Sequence, residues 1–413
     1  MDHVDFFGNA DEEKESVLDV TTGESYAYEL KQKDTLVARF ILEPTVLGKV
    51  KCNLIWDIPI QQFWPWGTRN RSDELLDWLE SRFIPKNRRY VQKIMETLAG
   101  DELPDLIKLL NVTLGLSLVD DYWVLPKDST LKWTDYNLYD NDFDETLSLV
   151  AFTGYNGKIH ELNSSPEYTT NGVLRKCWRR IDGKVFLFKG GSEGGVNLGQ
   201  EPYAEYYAYQ IAATMGINCI PYDLEKYHGV LCSTCELFTS NKYSLVNAYY
   251  AFAKRHLYEV LRLADNPLEQ QLVNMIIFDA IIANEDRHLG NFGMLRDTGT
   301  GELVAMAPLY DNGRSLLHEA YDDDFKDLNG YLKNSRKSIT GLGIENDRIE
   351  ALHPMIDNHT GPMLDRLVGF KFTRHPKYNW PEERLEAVEQ FIQDRVARLL
   401  AGRSDTQFTS NYK

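Results

Sequence analysis

Two carboxylates and a carboxamide make one stretch of this 413-residue sequence chemically conspicuous. In Ile281-Ile282-Ala283-Asn284-Glu285-Asp286-Arg287-His288-Leu289-Gly290-Asn291, an aspartate precedes an asparagine by five positions. A second aspartate, Asp311, follows twenty residues after Asn291, within Pro308-Leu309-Tyr310-Asp311-Asn312-Gly313. Phosphoryl transfer calls for this inventory: a carboxylate to accept the proton of an attacking hydroxyl, and oxygen ligands for the ions that bridge the phosphates. Hard Mg²⁺ takes a few such ligands and fills the rest of its shell with water. The Asp-x-x-x-x-Asn spacing is that of a kinase catalytic loop, in which the aspartate is the base and the asparagine holds metal. Taken alone this spacing arises easily by chance, so the surrounding elements decide its weight.

Those elements follow from the hydrophobic pattern. Phe292–Leu295 and Leu303–Met306 read as strands turning through Asp297-Thr298-Gly299-Thr300-Gly301, which returns Asp311 to the side of Asn291 and makes it the second metal ligand. Upstream, residues 173–180 and 184–189 read as a hairpin through Ile181-Asp182-Gly183. Pro202 fits the first turn of a helix that runs to Met215 and stops at Gly216. Strands are expected near Leu224 and over 230–237, then helices over 249–263 and 268–283. An amphipathic helix over 381–400 carries Leu385, Val388, Phe391, Ile392, Val396 and Leu399 on one stripe. Nearer the N-terminus, 35–42 and 51–56 read as strands, and helical periodicity begins at Ser72 and again near Val91.

The catalytic stretch resembles the HipA-type kinases, the toxin components of bacterial toxin–antitoxin pairs and their relatives. Their segment Asp-x-His-x-x-Asn, then a hairpin ending Pro-x-Tyr-Asp, is matched by Asp286-Arg287-His288-Leu289-Gly290-Asn291 and by Pro308-Leu309-Tyr310-Asp311. Phe186-Leu187-Phe188-Lys189 resembles the strand whose lysine holds the α- and β-phosphates, and Ala204-Glu205-Tyr206-Tyr207 resembles the helix whose glutamate orients that lysine. Glu201 is a rival for the glutamate's place. Cys235-Glu236-Leu237-Phe238 resembles the hinge, which implies that Glu236 and Phe238 face the adenine. The resemblance covers residues 160–320. It implies an α+β, bilobal, protein-kinase-like fold with a small N-terminal α+β domain. The divisions expected are 1–150, an N-lobe over 151–240 and a helical C-lobe over 241–413. It further implies ATP and Mg²⁺ as cofactors, Asp286 as base, and Asn291 and Asp311 as metal ligands. A protein Ser/Thr hydroxyl is the expected acceptor, and a small antitoxin-like protein a partner. Several family members phosphorylate a serine in their phosphate loop. The corresponding stretch here offers Ser164, Ser165, Thr169 and Thr170 as candidate autophosphorylation sites, with Arg175, Lys176, Arg179 and Arg180 following, but a single glycine.

Composition narrows the alternatives. The formal net charge of −17 opposes direct nucleic-acid binding, so a repressor role would need a separate protein to contact DNA. Five cysteines make no disulfide framework, and Cys232 and Cys235 sit in an apolar strand-like run as buried structural thiols. The first residues lack the pattern of a signal peptide, no long apolar run is present, and a cytoplasmic, membrane-free protein is expected. Asp140, Asp142 and Asp144 lack the glycine and terminal glutamate of a calcium loop, and Asp322–Asp324 reads as a solvated turn. Gly190–Gly195 reads as a connector, since no Lys-Ser/Thr follows it. His288 is expected to orient the loop, and Arg287 either pairs with a phosphorylated residue or is exposed. Two other functions suit the same residues: a lipid or small-molecule kinase, and a nucleotide-binding module that acts through partners without catalysis.

Overall fold

A computed structural model describes residues 21–55, 63–97, 103–143, 145–155, 165–193, 198–335, 338–339 and 344–403. The chain divides into two compact units, residues 1–173 and 174–413. The boundary between these units falls after Val173. It assigns the hydroxyl-rich stretch around Ser165–Thr170 to the first unit.

The first unit is built on an antiparallel sheet of order β3-β2-β1-β4, formed by β1 (Tyr26–Gln32), β2 (Thr35–Pro44), β3 (Val50–Ile55) and β4 (Tyr122–Pro126). Alternating burial along β2 is what a sheet with one covered face requires. Helices α1 (Ser72–Ser81), α2 (Asp105–Thr113) and α3 (Glu145–Thr153) supply buried Leu75, Leu79, Ile107, Leu110, Val150 and Phe152. The helix expected near Val91 is a single short turn, Val91–Met95.

The second unit opens with an antiparallel sheet of order β5-β6-β8-β7, from β5 (Lys176–Ile181), β6 (Lys184–Gly190), β7 (Asp223–Tyr227) and β8 (Val230–Glu236). Asp182 and Gly183 both adopt positive φ, 48° and 79°, the backbone that a two-residue hairpin loop needs to match strand twist. Helix α4 (Glu201–Met215) links β6 to β7, with Pro202 in its first turn and Gly216 closing it at φ 80°. A second sheet, β11-β10-β9, comprises β9 (Tyr243–Asn247), β10 (Gly293–Asp297) and β11 (Leu303–Met306). Met294 faces Met306 in the hairpin anticipated from sequence.

The helical part is organised around α6 (Asn266–Ile282), whose C-terminal half is buried and carries Leu272, Ile276, Phe278 and Ile281 into the core. Helix α7 (Glu382–Leu400) lays Leu385, Val388, Phe391, Ile392, Val396 and Leu399 into the same core. The helix expected over 249–263 is broken. Ala253 and Lys254 take φ of 53° and 63°, and α5 begins only at Leu257 and ends at Leu263. Two consecutive left-handed residues cannot continue a right-handed helix, whatever the side-chain periodicity. Among the described residues no helix is long and apolar enough to cross a membrane.

Candidate functional site

The site lies within the second unit, where three segments converge. Lys189 lies near the end of β6, opposite Ser233 of β8 on one side and Lys176 of β5 on the other. Its Nζ donates to Glu205 Oε1 at 2.9 Å and also contacts the Asp311 carboxylate. Glu205 is fully buried in α4, and its second oxygen accepts the backbone N–H of Asn312 at 2.7 Å. The rival Glu201 is occupied elsewhere: its Oε2 accepts the Ser192 N–H at 3.1 Å and so steadies the connector after β6. Gly313 meets α4 closely, since an added Cβ would lie 3.1 Å from Glu201 Cβ and 3.3 Å from Glu205 Oε1.

Burial opposes the charge of Lys189, but Asp311 and Glu205 outweigh it and raise its pKa above the ordinary lysine value. Burial also works against ionised Asp311, yet Lys189, supported by Lys176, brings its pKa down to about 2. Glu205, the more enclosed of the two carboxylates sharing Lys189, is raised by burial. Asp311 differs from Glu205 in exposure: 36% of its side chain remains accessible, against none for Glu205.

The catalytic-loop candidates are placed by the end of α6. Ala283 reverses the chain at φ 51°, so that Asn284 turns inward. Asn284 Nδ2 donates to Asp279 Oδ1 at 2.9 Å, while its own Oδ1 accepts the Asp286 N–H at 3.0 Å. Asn291 Nδ2 donates to the Asp286 carbonyl at 2.8 Å, leaving the Asn291 amide oxygen as the group suited to a cation. His288 Nδ1 accepts the Gly290 N–H at 3.0 Å, the loop-orienting role expected for it. Arg287 is not exposed. It is 1% accessible and paired with Asp279 at 3.0 Å.

The segment that carries Asp311 is tied back to this loop. Tyr310 donates its hydroxyl to the Gly290 carbonyl at 3.0 Å, and its ring stacks on Phe238 at 5.7 Å. Asp311, at φ 58°, donates its N–H to the Tyr222 hydroxyl at 3.2 Å. Leu316 N–H donates to the Ile282 carbonyl at 2.7 Å, and Glu285 N–H to Arg314 O at 3.1 Å.

A cleft of about 640 Å³ adjoins these groups, lined by Phe186, Cys219, Ile220, Glu236, Leu237, Phe238 and Pro308 among others. The hinge segment therefore borders it, although Lys189, Glu205, Asn291 and Asp311 do not line it. The Glu236 side chain turns outward and pairs with Lys184 at 2.8 Å.

The expected hydroxyl loop is placed differently. Ser164 lies outside the described residues. Ser165 is buried and caps a short 3₁₀ turn, Pro166–Thr169, accepting the Glu167 N–H at 3.4 Å. Thr169 donates to Leu116 O at 3.0 Å and Thr170 to Pro166 O at 2.6 Å. Arg88 fastens the turn through Glu167 Oε2 at 3.1 Å and Thr170 O at 2.9 Å. These hydroxyls close hydrogen bonds inside the first unit. Arg175, read as a partner for a phosphorylated loop, pairs with Glu193. Lys176 was read only as part of that cation cluster, but the structure sets it beside Lys189. The sequence signal was its equivalent position across the hairpin.

Residues 168–323 match the family model of the HipA-like C-terminal domain. This segment is similar to a HipA-like domain. It contains Lys189, Glu205, Asp286, Asn291 and Asp311 together. The serine/threonine-protein kinase CtkA of Helicobacter pylori (strain J99) is 28% identical over 170 residues, covering 35% of this chain and 51% of CtkA. The chain thus spans about half the length of this curated relative. Among solved structures, the Helicobacter pylori proinflammatory kinase CtkA has a TM-score of 0.40 at 19% identity, covering 55% of this chain and 93% of that one. HipA of Shewanella oneidensis MR-1, solved with HipB and operator DNA, has a TM-score of 0.48 at 14% identity, with coverages of 91% and 96%.

Proposed function

We propose that the HipA-like domain transfers the γ-phosphoryl group of ATP to a protein serine or threonine hydroxyl with Mg²⁺. The observation that carries this reading is the joining of Lys189, Glu205 and Asp311 in one cluster, with Asn291 bonded to the loop that bears Asp286. The donor set suits a hard cation. Asn291 offers an amide oxygen and Asp311 an ionised, partly accessible carboxylate, both hard oxygen donors. Among the described residues no group of three or more His, Cys, Asp or Glu is placed to hold a metal by itself. Such a sparse protein shell suits an ion whose remaining ligands are phosphate oxygens and water.

Bound Mg²⁺ would neutralise charge on the phosphate oxygens. Lys189, kept protonated by its two carboxylates, would exchange its contact with Asp311 for phosphate oxygens while Glu205 retains its hold. Asp286 would take the proton of the acceptor hydroxyl. The hydroxyl oxygen forms its bond to the γ-phosphorus as the bond to the bridging oxygen breaks, and ADP leaves with that electron pair. The protein acceptor rests on the similarity to CtkA, a named serine/threonine kinase. Modification at Ser165, Thr169 or Thr170 would require the turn held by Arg88 to open first.

Incubation of the purified protein with Mg²⁺ and labelled ATP, alone and with protein, lipid and small-molecule acceptors, tests the proposal. Label on serine or threonine of a protein acceptor is the expected result. Label on a lipid or metabolite instead would reassign the substrate class. Nucleotide binding without transfer to any acceptor would overturn catalysis in favour of a silent binding module.

A further inference from the structure

We infer that Arg287 is the positioning residue that sets the affinity of the metal site, by holding both ligand-bearing segments with one guanidinium. The inference rests on the phosphotransfer reading and assigns a control element to its site. Arg287 Nη1 donates to the carbonyl of Asn291 at 2.9 Å and to that of Tyr310 at 2.6 Å. Asn291 is one proposed ligand, and Tyr310 directly precedes the other, Asp311. Nη2 reaches the Asn312 side-chain oxygen, on the far side of Asp311. The remaining edge is fixed by Asp279 in α6, whose oxygens take Nε at 3.0 Å and Nη2 at 3.1 Å.

Rigid planarity makes this coupling specific to arginine. A guanidinium presents its donors in a fixed fork, whereas an ammonium is a point charge on a flexible stem. With one edge anchored on an α6 carboxylate, the two carbonyls and the Asn312 amide cannot shift independently. Groups that orient a metal's ligands from outside commonly change its affinity roughly 10–100-fold when altered. No side-chain atom of Arg287 is needed to touch nucleotide, so loss of the fork should weaken metal binding selectively.

The test uses the full chain, Mn²⁺ as the probe ion and a non-hydrolysable ATP analogue. Electron paramagnetic resonance reads bound Mn²⁺, and fluorescent-nucleotide displacement in chelator reads metal-free nucleotide affinity. For Arg287→Lys the Mn²⁺ affinity of the ternary complex should fall roughly 10–100-fold while metal-free nucleotide affinity stays within twofold. Wild-type Mn²⁺ affinity in the variant would overturn the inference, as would an equal loss of both affinities. If Arg287→Lys does not fold, Asn312→Ala removes one acceptor and leaves the Asp279 pair intact. It should shift Mn²⁺ affinity in the same direction by a smaller factor, and no shift would overturn the inference. Wild-type protein that binds Mn²⁺ with nucleotide but transfers no phosphate would sink the kinase reading and leave this inference standing. Wild-type protein that shows no metal-dependent nucleotide binding would sink both.

Discussion

Both units bury charge, and they do so to different ends. In the first, Arg88 and Glu167 are paired at 3.1 Å with neither side chain accessible, and Arg88 Nη1 donates to two carbonyls of the same turn. That network is closed to solvent. In the second, Arg287 and Asp279 form a similarly enclosed pair, but beside it stands Asp311, ionised and one-third accessible. Buried charge alone therefore does not mark a site. A closed pair fixes backbone, whereas an enclosed cluster with one open carboxylate has capacity left for a ligand.

The largest effect that would break this contrast is expected at the open carboxylate. Asp311→Asn should lower phosphoryl transfer on the order of 10³-fold or more, with the circular dichroism of the folded protein retained. Near-normal turnover would mean that the open position is not the metal ligand. Next in size, Asp286→Ala should slow transfer on the order of 10²-fold or more while calorimetry still finds Mg-ATP bound, because its contact is with the acceptor. Lost nucleotide binding there, with Asn291→Ala still active, would exchange the two roles.

The closed network should respond in stability. Arg88→Lys keeps the charge but cannot satisfy Glu167 and both carbonyls, so denaturant unfolding should lose about 1–3 kcal/mol. Nucleotide affinity should not change. A reduced nucleotide affinity in a folded Arg88→Lys protein would show that this network is not merely structural.

The smallest effect belongs to a surface pair. The Arg398 hydrogen bond draws the Glu350 pKa down to about 2, from an ordinary value of 4.5. A depressed carboxylate stabilises the fold above its unfolded pKa, and that contribution fades as pH falls from about 4.5 towards 2. The pair is about half exposed on the Glu350 side, so Glu350→Gln should cost no more than about 1 kcal/mol at pH 7. The difference from wild type should vanish near pH 2, and a variant that stays equally weakened there would exclude the ion pair as the cause.

Much of this arrangement was legible in sequence, and the exceptions have physical causes. The five-residue step from Asp286 to Asn291, and the hairpin that returns Asp311, are local features that spacing encodes. The path of Lys189 to Glu205 rather than Glu201 could not be chosen by pattern, since both carboxylates begin the same helix. The sequence leaves Arg287 open between an exposed residue and a partner for a phosphorylated one. The overlooked signal was Asp279, a lone carboxylate inside Ile276-Ile277-Phe278-Asp279-Ala280-Ile281-Ile282, which demands a buried cation. The break at Ala253–Lys254 leaves no mark on hydrophobic periodicity, because it is made by exposed residues through local backbone bonds, Lys254 N–H donating to the Tyr249 carbonyl at 2.7 Å. Hydroxyls that cap a turn and hydroxyls in a phosphate loop share one composition, so residues 165–170 were ambiguous at that level.

The sulfur atoms have a practical consequence. Cys52, Cys177, Cys219, Cys232 and Cys235 are all buried as free thiols, and burial pushes four of them, Cys52, Cys219, Cys232 and Cys235, up to about 12. Alkylating reagents attack the thiolate, whose share at neutral pH would then be roughly a thousandfold below that of an ordinary cysteine. The native protein should be nearly silent to such reagents. A single cysteine engineered on its surface would then take a fluorophore without removal of the natural ones. Cys219 and Cys235 border the cleft, so a slow gain of label at those two would report local opening there.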